Sequence, residues 1–245
     1  MAVQAASGAR KPVKKRARGR KHHPWLRRVA LVLLILAGAF LLSIVLFRFV
    51  NPPFTPVMAV EKLRGATLKR QWVPLEKISP NLRLAVVASE DGRFCAHWGV
   101  DWGAVKDAVE AAHSLKGVRG ASTIPMQTAK NLYLWNQRSY VRKALEVPLA
   151  YVMSAIWPKR RMMEVYLNIA QWGPGVFGAE AASRYYFGKR ASALTRREAV
   201  LLAAALPNPR LRNPAKPGRR MLLVANAVER RMPYMVSRAQ CVLKP

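Results

Sequence analysis

The sequence predicts a mainly α protein: one N-terminal membrane-spanning helix followed by a helical domain. Three observations carry that prediction. Residues 29–47, VALVLLILAGAFLLSIVLF, run for nineteen residues without a charge. After residue 78, helix-start signals and 3.6-residue apolar spacing recur one after another, while alternating strand patterns are nearly absent. A hydrophobic content of 51% supplies a core and excludes a disordered polycation.

The apolar run comes first in the chain. A helix rising ~1.5 Å per residue crosses a ~30 Å hydrocarbon layer in about 20 residues, so this run is long enough to span. A cleaved signal peptide would have a shorter apolar stretch and an A-x-A-like site behind it. Here Arg48, Asn51, Pro52 and Pro53 follow, which predicts an uncleaved anchor. Residues 1–28 carry ten Lys and Arg and no acid, so the positive-inside rule places that tail in the cytoplasm and the rest outside. The expected organisation is a basic tail over 1–28, a transmembrane helix over 29–47, a linker over 48–59 and an exported domain over 60–245. Residues 51–57, NPPFTPV, read as a stiff Pro-rich exit from the membrane.

In the domain, Ser79 caps a helix with Pro80 at its first position, and Leu82, Ala85, Val86 and Ser89 follow at helical spacing. Asp101 caps a second helix with Val105, Ala108, Val109 and Ala112 on one face. Ser139 starts a third that carries Leu145, Leu149, Val152 and Ile156, with Pro148 set to bend it. A fourth covers about Lys159 to Ile169, and a fifth runs from Gly178 to Phe187, stopped by Gly188. Thr195 and Glu198 form a capping box ahead of an apolar run that Pro207 ends, too short to span a membrane and therefore a core helix. A last helix is predicted over Arg219 to Arg231.

Charge narrows the class of ligand. The chain has 42 Lys and Arg against 12 Asp and Glu, a formal net charge of +30. Setting aside the ten cations of the tail and Arg48 leaves 31 against 12, or +19 over residues 49–245. Such an excess implies a polyanionic partner: nucleic acid, an anionic membrane surface or a phosphate-bearing substrate. A domain outside the cell disfavours nucleic acid. Two cysteines exclude a disulfide scaffold and a four-cysteine metal site. Cys95 and Cys241 can pair in an oxidising compartment, but their spacing fixes no geometry, and unpaired thiols are the expectation.

Three polar clusters break local rules. Glu90 and Asp91 fall in the last turn of the first domain helix, where the macrodipole disfavours negative charge, and Arg93, Phe94, His97 and Gly99 follow closely. Such violations collect at functional sites, and the cluster reads equally as a solvated loop and as a site. Behind Gly120, Ser122 and Thr123 can cap a helix whose free N–H groups suit an anion, with Gln127, Lys130 and Asn131 about one turn on. An ordinary capped helix would look the same. Arg142, Lys143 and Glu146 share one helix face, the pattern of a surface ion pair. Two carboxylates near several cations instead suit sugar chemistry, in which an acid deprotonates a hydroxyl and cations hold a phosphate leaving group.

Taken together the clusters become specific. SEDGRFCAHWG (89–99), GASTIPMQTAKN (120–131), RKALE (142–146), KRRMMEVYLN (159–168) and REAVLLAAALPNP (197–209) occur in order. They resemble the five motifs of the family-51 glycosyltransferases, the peptidoglycan polymerases, over roughly residues 60–210, with NIAQWGPGVFGAEAASRYYFGK extending the likeness. Pro125 and Met126 take places that the family usually gives to polar residues. The resemblance implies a lysozyme-like glycosyltransferase domain, mainly α, periplasmic and lying on the inner membrane of a Gram-negative cell. It also implies a reaction. Lipid II, the lipid-linked disaccharide precursor, is the acceptor and the growing lipid-linked glycan the donor. Glu90 is then the general base for the acceptor 4-hydroxyl, and Glu146 supports the site near the departing undecaprenyl pyrophosphate. Lys130 and Arg138 would hold acceptor pyrophosphate with Arg93 close by. Arg142 and Lys143 would act on the donor side, and Ser122, Thr123, Gln127 and Asn131 would line the cleft. Tyr166 and Asn168 read as structural. A cell-wall synthesis complex enters as a partner through the same resemblance.

A divalent cation helps some relatives, but no metal-ligand spacing is visible and no cofactor is expected. No serine is followed three residues later by lysine, as a transpeptidase nucleophile motif would need, so a monofunctional polymerase is expected. Two other classes compete: a membrane-anchored binder of anionic polymers, and a lysozyme-like enzyme that cleaves strands. The cation clusters favour the polymerase, since cleavage has no pyrophosphate to release.

Overall fold

The computed structural model describes residues 24–113, 121–137 and 139–244. The chain divides into two compact units, residues 1–42 and 43–245. Helix α1, Pro24–Phe47, runs across that division. Its segment Arg27–Phe47 has a mean hydropathy of 3.1, and it is long and apolar enough to cross a membrane. The helix begins five residues before the predicted span, with Pro24 at its first position, where a missing N–H costs no hydrogen bond.

Within the second unit the chain leaving α1 is tied down by arginines. Arg161 donates to the Phe47 carbonyl (3.0 Å), the Val50 carbonyl (2.7 Å) and Asn51 Oδ1 (2.9 Å), and Arg48 reaches the Ile156 carbonyl at 2.8 Å. Helix α2, Pro56–Leu63, then starts inside the expected linker. Thr55 caps it by accepting from Met58 N at 3.3 Å, and Val57 and Met58 are buried. Residues 51–55 of the Pro-rich stretch are not helical, and Pro56 opens α2, because proline suits the first helical turn.

The core is helical. Helix α3 (Pro80–Glu90) lies at its centre, with Leu82, Ala85, Val86 and Val87 wholly buried and Ser79 capping as predicted. Helix α4 covers Trp102–His113, α5 Ile124–Tyr133, α6 Tyr140–Ile156, α7 Lys159–Ile169 and α8 Ala179–Phe187. Helix α9, Arg196–Ala205, has the Thr195–Glu198 capping box and is buried from Ala199 to Ala205, as a core helix should be. Helices α10 (Arg219–Met235) and α11 (Gln240–Leu243) complete the set. Both α3 and α9 pack against α10, and α5 packs against α6 and α7. Three strands of two or three residues, β1 (Lys69–Arg70), β2 (Gln171–Gly173) and β3 (Val176–Phe177), form a sheet in the order β1-β3-β2. Such strands are too short for alternation to show in sequence.

Four expectations need correction. Helix α6 turns Glu146, Ala150, Met153 and Ser154 inward, whereas Leu145 is 43% exposed and Leu149, Val152 and Ile156 are half-buried. The register follows the charged residue, because Glu146 finds cationic partners on the inner side. On α4, Val105 packs half-buried against Val100, Met126 and Ala150 and Ala108 is half-buried, but Val109 is 52% exposed; the Ala112 side chain lies outside the described residues. Helix α10 continues past Arg231 through Pro233. The ring removes the N–H that would have bonded the Glu229 carbonyl, and Arg196 donates to that carbonyl instead, at 3.3 Å. Finally, Cys95 and Cys241 are joined as a disulfide with Cα atoms 5.8 Å apart, not left as free thiols. The bridge links residues 146 positions apart and ties α11 to the loop after α3.

A cross-link over so long a separation constrains the unfolded chain strongly. The double variant Cys95→Ser/Cys241→Ser is expected to lose about 3 kcal/mol of domain stability, read as a lower thermal midpoint in detergent. Dithiothreitol should lower the midpoint of the natural chain and leave that of the double variant unmoved.

Candidate functional site

Glu90 ends α3, and its neighbours come from two other helices. Its Oε1 accepts from Ser89 Oγ at 2.7 Å and its Oε2 from Gln127 Nε2 at 3.0 Å. Gln127, on α5, is itself oriented: its Oε1 accepts from the hydroxyl of Tyr166 on α7 at 3.1 Å. Tyr166 is fully buried, and desolvation pushes its phenol well above its ordinary pKa, so it stays a neutral donor. Burial likewise raises the Glu90 carboxyl above its ordinary value. The hydrogen bonds from Gln127 and Ser89, then the charges of Lys130 and Arg212, pull it part of the way back.

Asp91 supplies the frame. Its buried carboxylate accepts from Ile124 N at 2.9 Å and meets His97 Nε2 at 2.9 and 3.0 Å. Lys159 holds the same turn by donating to the His97 carbonyl at 2.5 Å. Gly99 sits at φ 94°, and a Cβ there would lie 2.7 Å from the Ala150 carbonyl oxygen, so only glycine lets the loop pass α6 this closely. The crowded motif is thus partly site and partly brace: Glu90 faces a cavity, while Asp91 and His97 fasten α3 to the start of α5.

The third motif is also inward. Glu146 is buried, meets Lys143 Nζ at 3.1 Å and pairs with Arg142. Lys143 Nζ also donates to Ser122 Oγ at 2.5 Å. This is not a solvated surface pair. Burial lowers the pKa values of Arg142, Lys143 and Lys130, and for the two lysines the charge of Arg142 adds to the effect.

Two cavities meet at Gln127 and Pro207. One, of about 520 Å³, holds Glu90, Ser89, Ser122, Arg212 and Arg231. The other, of about 450 Å³, holds Lys130, Asn131, Tyr166, Gln171, Arg64 and Arg210. Glu90, Ser122, Gln127, Lys130 and Asn131 therefore come together, with Arg142, Lys143 and Glu146 connected through Ser122. Thr123 does not face a cavity: its hydroxyl donates to the Gly99 carbonyl and accepts from Met126 N, as an N-cap. Pro125 and Met126 are buried in the same turn, which accounts for their apolar character. Arg93 is turned away, 3.5 Å from Asp101 and 58% exposed, beside a separate cavity with Cys95 and Arg238. Arg138 lies outside the described residues.

Sequence reasoning missed Arg64, Arg210, Arg212 and Arg231 and took Tyr166 for structure alone. The run PNPRLR behind the fifth motif carried a signal for Arg210 and Arg212. Asn168 is structural as read, bonding Val73 and Glu164 backbone atoms. Among the described residues no three His, Cys, Asp or Glu side chains converge to hold a metal ion.

A carboxylate with raised pKa in a cavity that also holds guanidinium groups can move a proton beside an anion. The sequence pattern of the transglycosylase family matches residues 57–239, which contain all of these side chains. The chain belongs to the transglycosylase family. A biosynthetic peptidoglycan transglycosylase of Rhodospirillum centenum is 51% identical over 228 residues, covering 90% of this chain and 96% of the relative. One from Rhizobium meliloti is 50% identical over 204 residues, 83% and 85% of the two chains, and one from Pasteurella multocida 52% identical over 177 residues, 69% and 72%.

In this transglycosylase burial raises the proton affinity of Glu90, and the hydrogen bond from Gln127, itself held by Tyr166, restrains the rise. A carboxylate accepts a proton only when ionised, so if Glu90 is the base, activity falls as pH drops through its pKa. Gln127 stabilises the charged form, and its loss raises that pKa. Gln127→Ala, and more weakly Tyr166→Phe, is therefore expected to move the acid limb of the kcat profile to higher pH and to lower kcat at neutral pH. A rate-against-pH series on both variants checks it.

Proposed function

We propose that this transglycosylase polymerises peptidoglycan glycan strands from lipid II. The observation that carries the reading is the half-buried Glu90, hydrogen-bonded only to neutral groups and lining one of two cation-lined cavities that meet at Gln127. The Glu90 carboxylate takes the proton from the acceptor 4-hydroxyl. The new O–C1 bond forms as the donor's C1–O bond to diphosphate breaks, with inversion, and undecaprenyl pyrophosphate leaves with the electron pair. Lys130 holds diphosphate on the acceptor side, with Arg138 assigned there from the resemblance. Arg142 and Lys143, fixed by Glu146, face the charge that develops on the leaving group, where preorganised cations act most strongly. Arg212 adds a further positive charge beside Glu90.

In this reading α1 anchors the chain in the inner membrane. The basic tail lies in the cytoplasm and the catalytic domain, residues 60–245, is in the periplasm, where a cell-wall synthesis complex would gather its partners. The excess of cations in that domain supports a substrate presented at the membrane as a diphosphate.

The full-length protein, given purified lipid II in detergent, should produce long glycan strands on a gel. Glu90→Gln is expected to cut the rate by about 10³-fold, within the range of a lost general base. Undiminished polymerisation by Glu90→Gln would refute the mechanism, and shortening of preformed strands by the natural chain would favour lysis.

A further inference from the structure

The Glu90 cavity contains one cation that neither the five motifs nor the mechanism uses. Helix α10 lies beyond those motifs and turns Val224, Ala227, Val228 and Arg231 toward the cavity, positions i, i+3, i+4 and i+7 on one stripe. Arg231 is half-buried and makes no ion pair or hydrogen bond among the described residues. Its neighbour Arg212 spends Nη1 on the Ala204 carbonyl at 2.7 Å and leaves the rest of its guanidinium toward the cavity. Ser122 adds a hydroxyl to the same wall. Two guanidiniums and a hydroxyl, with Glu90 the sole acid in that lining, form a receptor for an anion. The planar fork of arginine matches phosphate oxygens bidentately.

We infer that Arg231 binds the diphosphate of the lipid-linked substrate seated in the Glu90 cavity, an inference that rests on the polymerase reading. Two diphosphate-bearing substrates meet in each turnover, and the structure has two cation-lined cavities to receive them. Lys130, Arg64 and Arg210 line one, while Arg212 and Arg231 line the other. The position of Arg231 is secured by two anchors that follow it in the chain. One turn on, Met235 packs against the loop at Gly92, where a Cβ would lie 3.6 Å from its sulfur, and Cys241 then bonds Cys95 of the same loop. The C-terminal helices are thereby fixed to the loop that follows the base, and Arg231 keeps its distance from Glu90.

The test uses full-length protein with lipid II, with inorganic pyrophosphate as competitor. Arg231→Gln is expected to raise KM and the pyrophosphate inhibition constant together, by at least about tenfold, the scale of a lost charge-assisted contact, with kcat within about threefold. Binding held equally in ground and transition states behaves in this way. Arg231→Lys should recover part of both constants. Arg230→Gln, the same charge removed from the exposed side of α10, should change neither. An unchanged KM in Arg231→Gln overturns the inference, as does an equal effect of Arg230→Gln. A raised KM with unaltered pyrophosphate inhibition overturns the diphosphate assignment. Pyrophosphate affinity measured by calorimetry is read without turnover. Failure of the Glu90 mechanism would therefore leave that readout intact and be told apart from failure here.

Discussion

The buried carboxylate of Asp91 is the constraint on which the site depends. It accepts the first free N–H of α5 from Ile124 and binds the ring of His97, so one side chain joins the end of α3, the loop behind it and the start of α5. A carboxylate satisfied by a helix N-terminus and an imidazole can be buried at a tolerable cost. Once α5 is held there, Gln127 falls one turn along and opposite Glu90. The two adjacent acids thus have different work because their surroundings differ: Asp91 is spent on structure, and Glu90, one residue earlier, is left facing a cavity.

In the proposed mechanism Glu90 needs two opposed properties. It must be ionised to accept a proton and basic enough to hold it. Desolvation raises its proton affinity, and the donors Ser89 and Gln127 with the more distant charges of Lys130 and Arg212 restrain the rise. The neutral donors matter most among the restraining influences, and Tyr166 is why Gln127 can act as one, since its hydroxyl occupies the amide oxygen and leaves the NH₂ for Glu90. A tyrosine read as structural therefore bears on the proton affinity of Glu90 through one neighbour.

Most helices were legible because their signals are local. Ser79–Pro80, Ser139, Gly188 and the Thr195–Glu198 box each act within a few residues, and each stands where it was read. What failed to show depends on partners far along the chain. The most deeply buried face of α6 includes Glu146, paired with Arg142 and Lys143, beside the half-buried Leu149, Val152 and Ile156 that apolar spacing marks. The sheet strands are two or three residues long, and Cys95 meets Cys241 only because α10 and α11 return to α3. Most of the site was visible as motifs, but Arg231 was not: it belongs to a helix whose relation to Glu90 exists only in three dimensions.

The disposition of the twelve acids explains why the excess charge can be useful. Glu61 meets Arg64 and Arg210; Glu76 meets Arg160; Asp101, Arg93; Glu110, Lys106; Glu164, Arg161; Glu180, Arg184; Glu198, Lys189; Glu229, Arg197. Asp91 has His97, and Glu146 has two cations. Among the described residues Glu90 and Asp107 alone form no ion pair, and Asp107 is exposed on α4. In the proposed mechanism a direct ion pair would depress the basicity of Glu90 and neutralise a cation that the substrate's diphosphate needs. Keeping the base on neutral donors while Lys130, Arg212 and Arg231 stay without a carboxylate partner preserves both functions in one cleft. The surplus of positive charge is what makes that separation affordable: with so few acids, each one placed to brace the fold leaves several cations free, and the anion that completes the site arrives with the substrate.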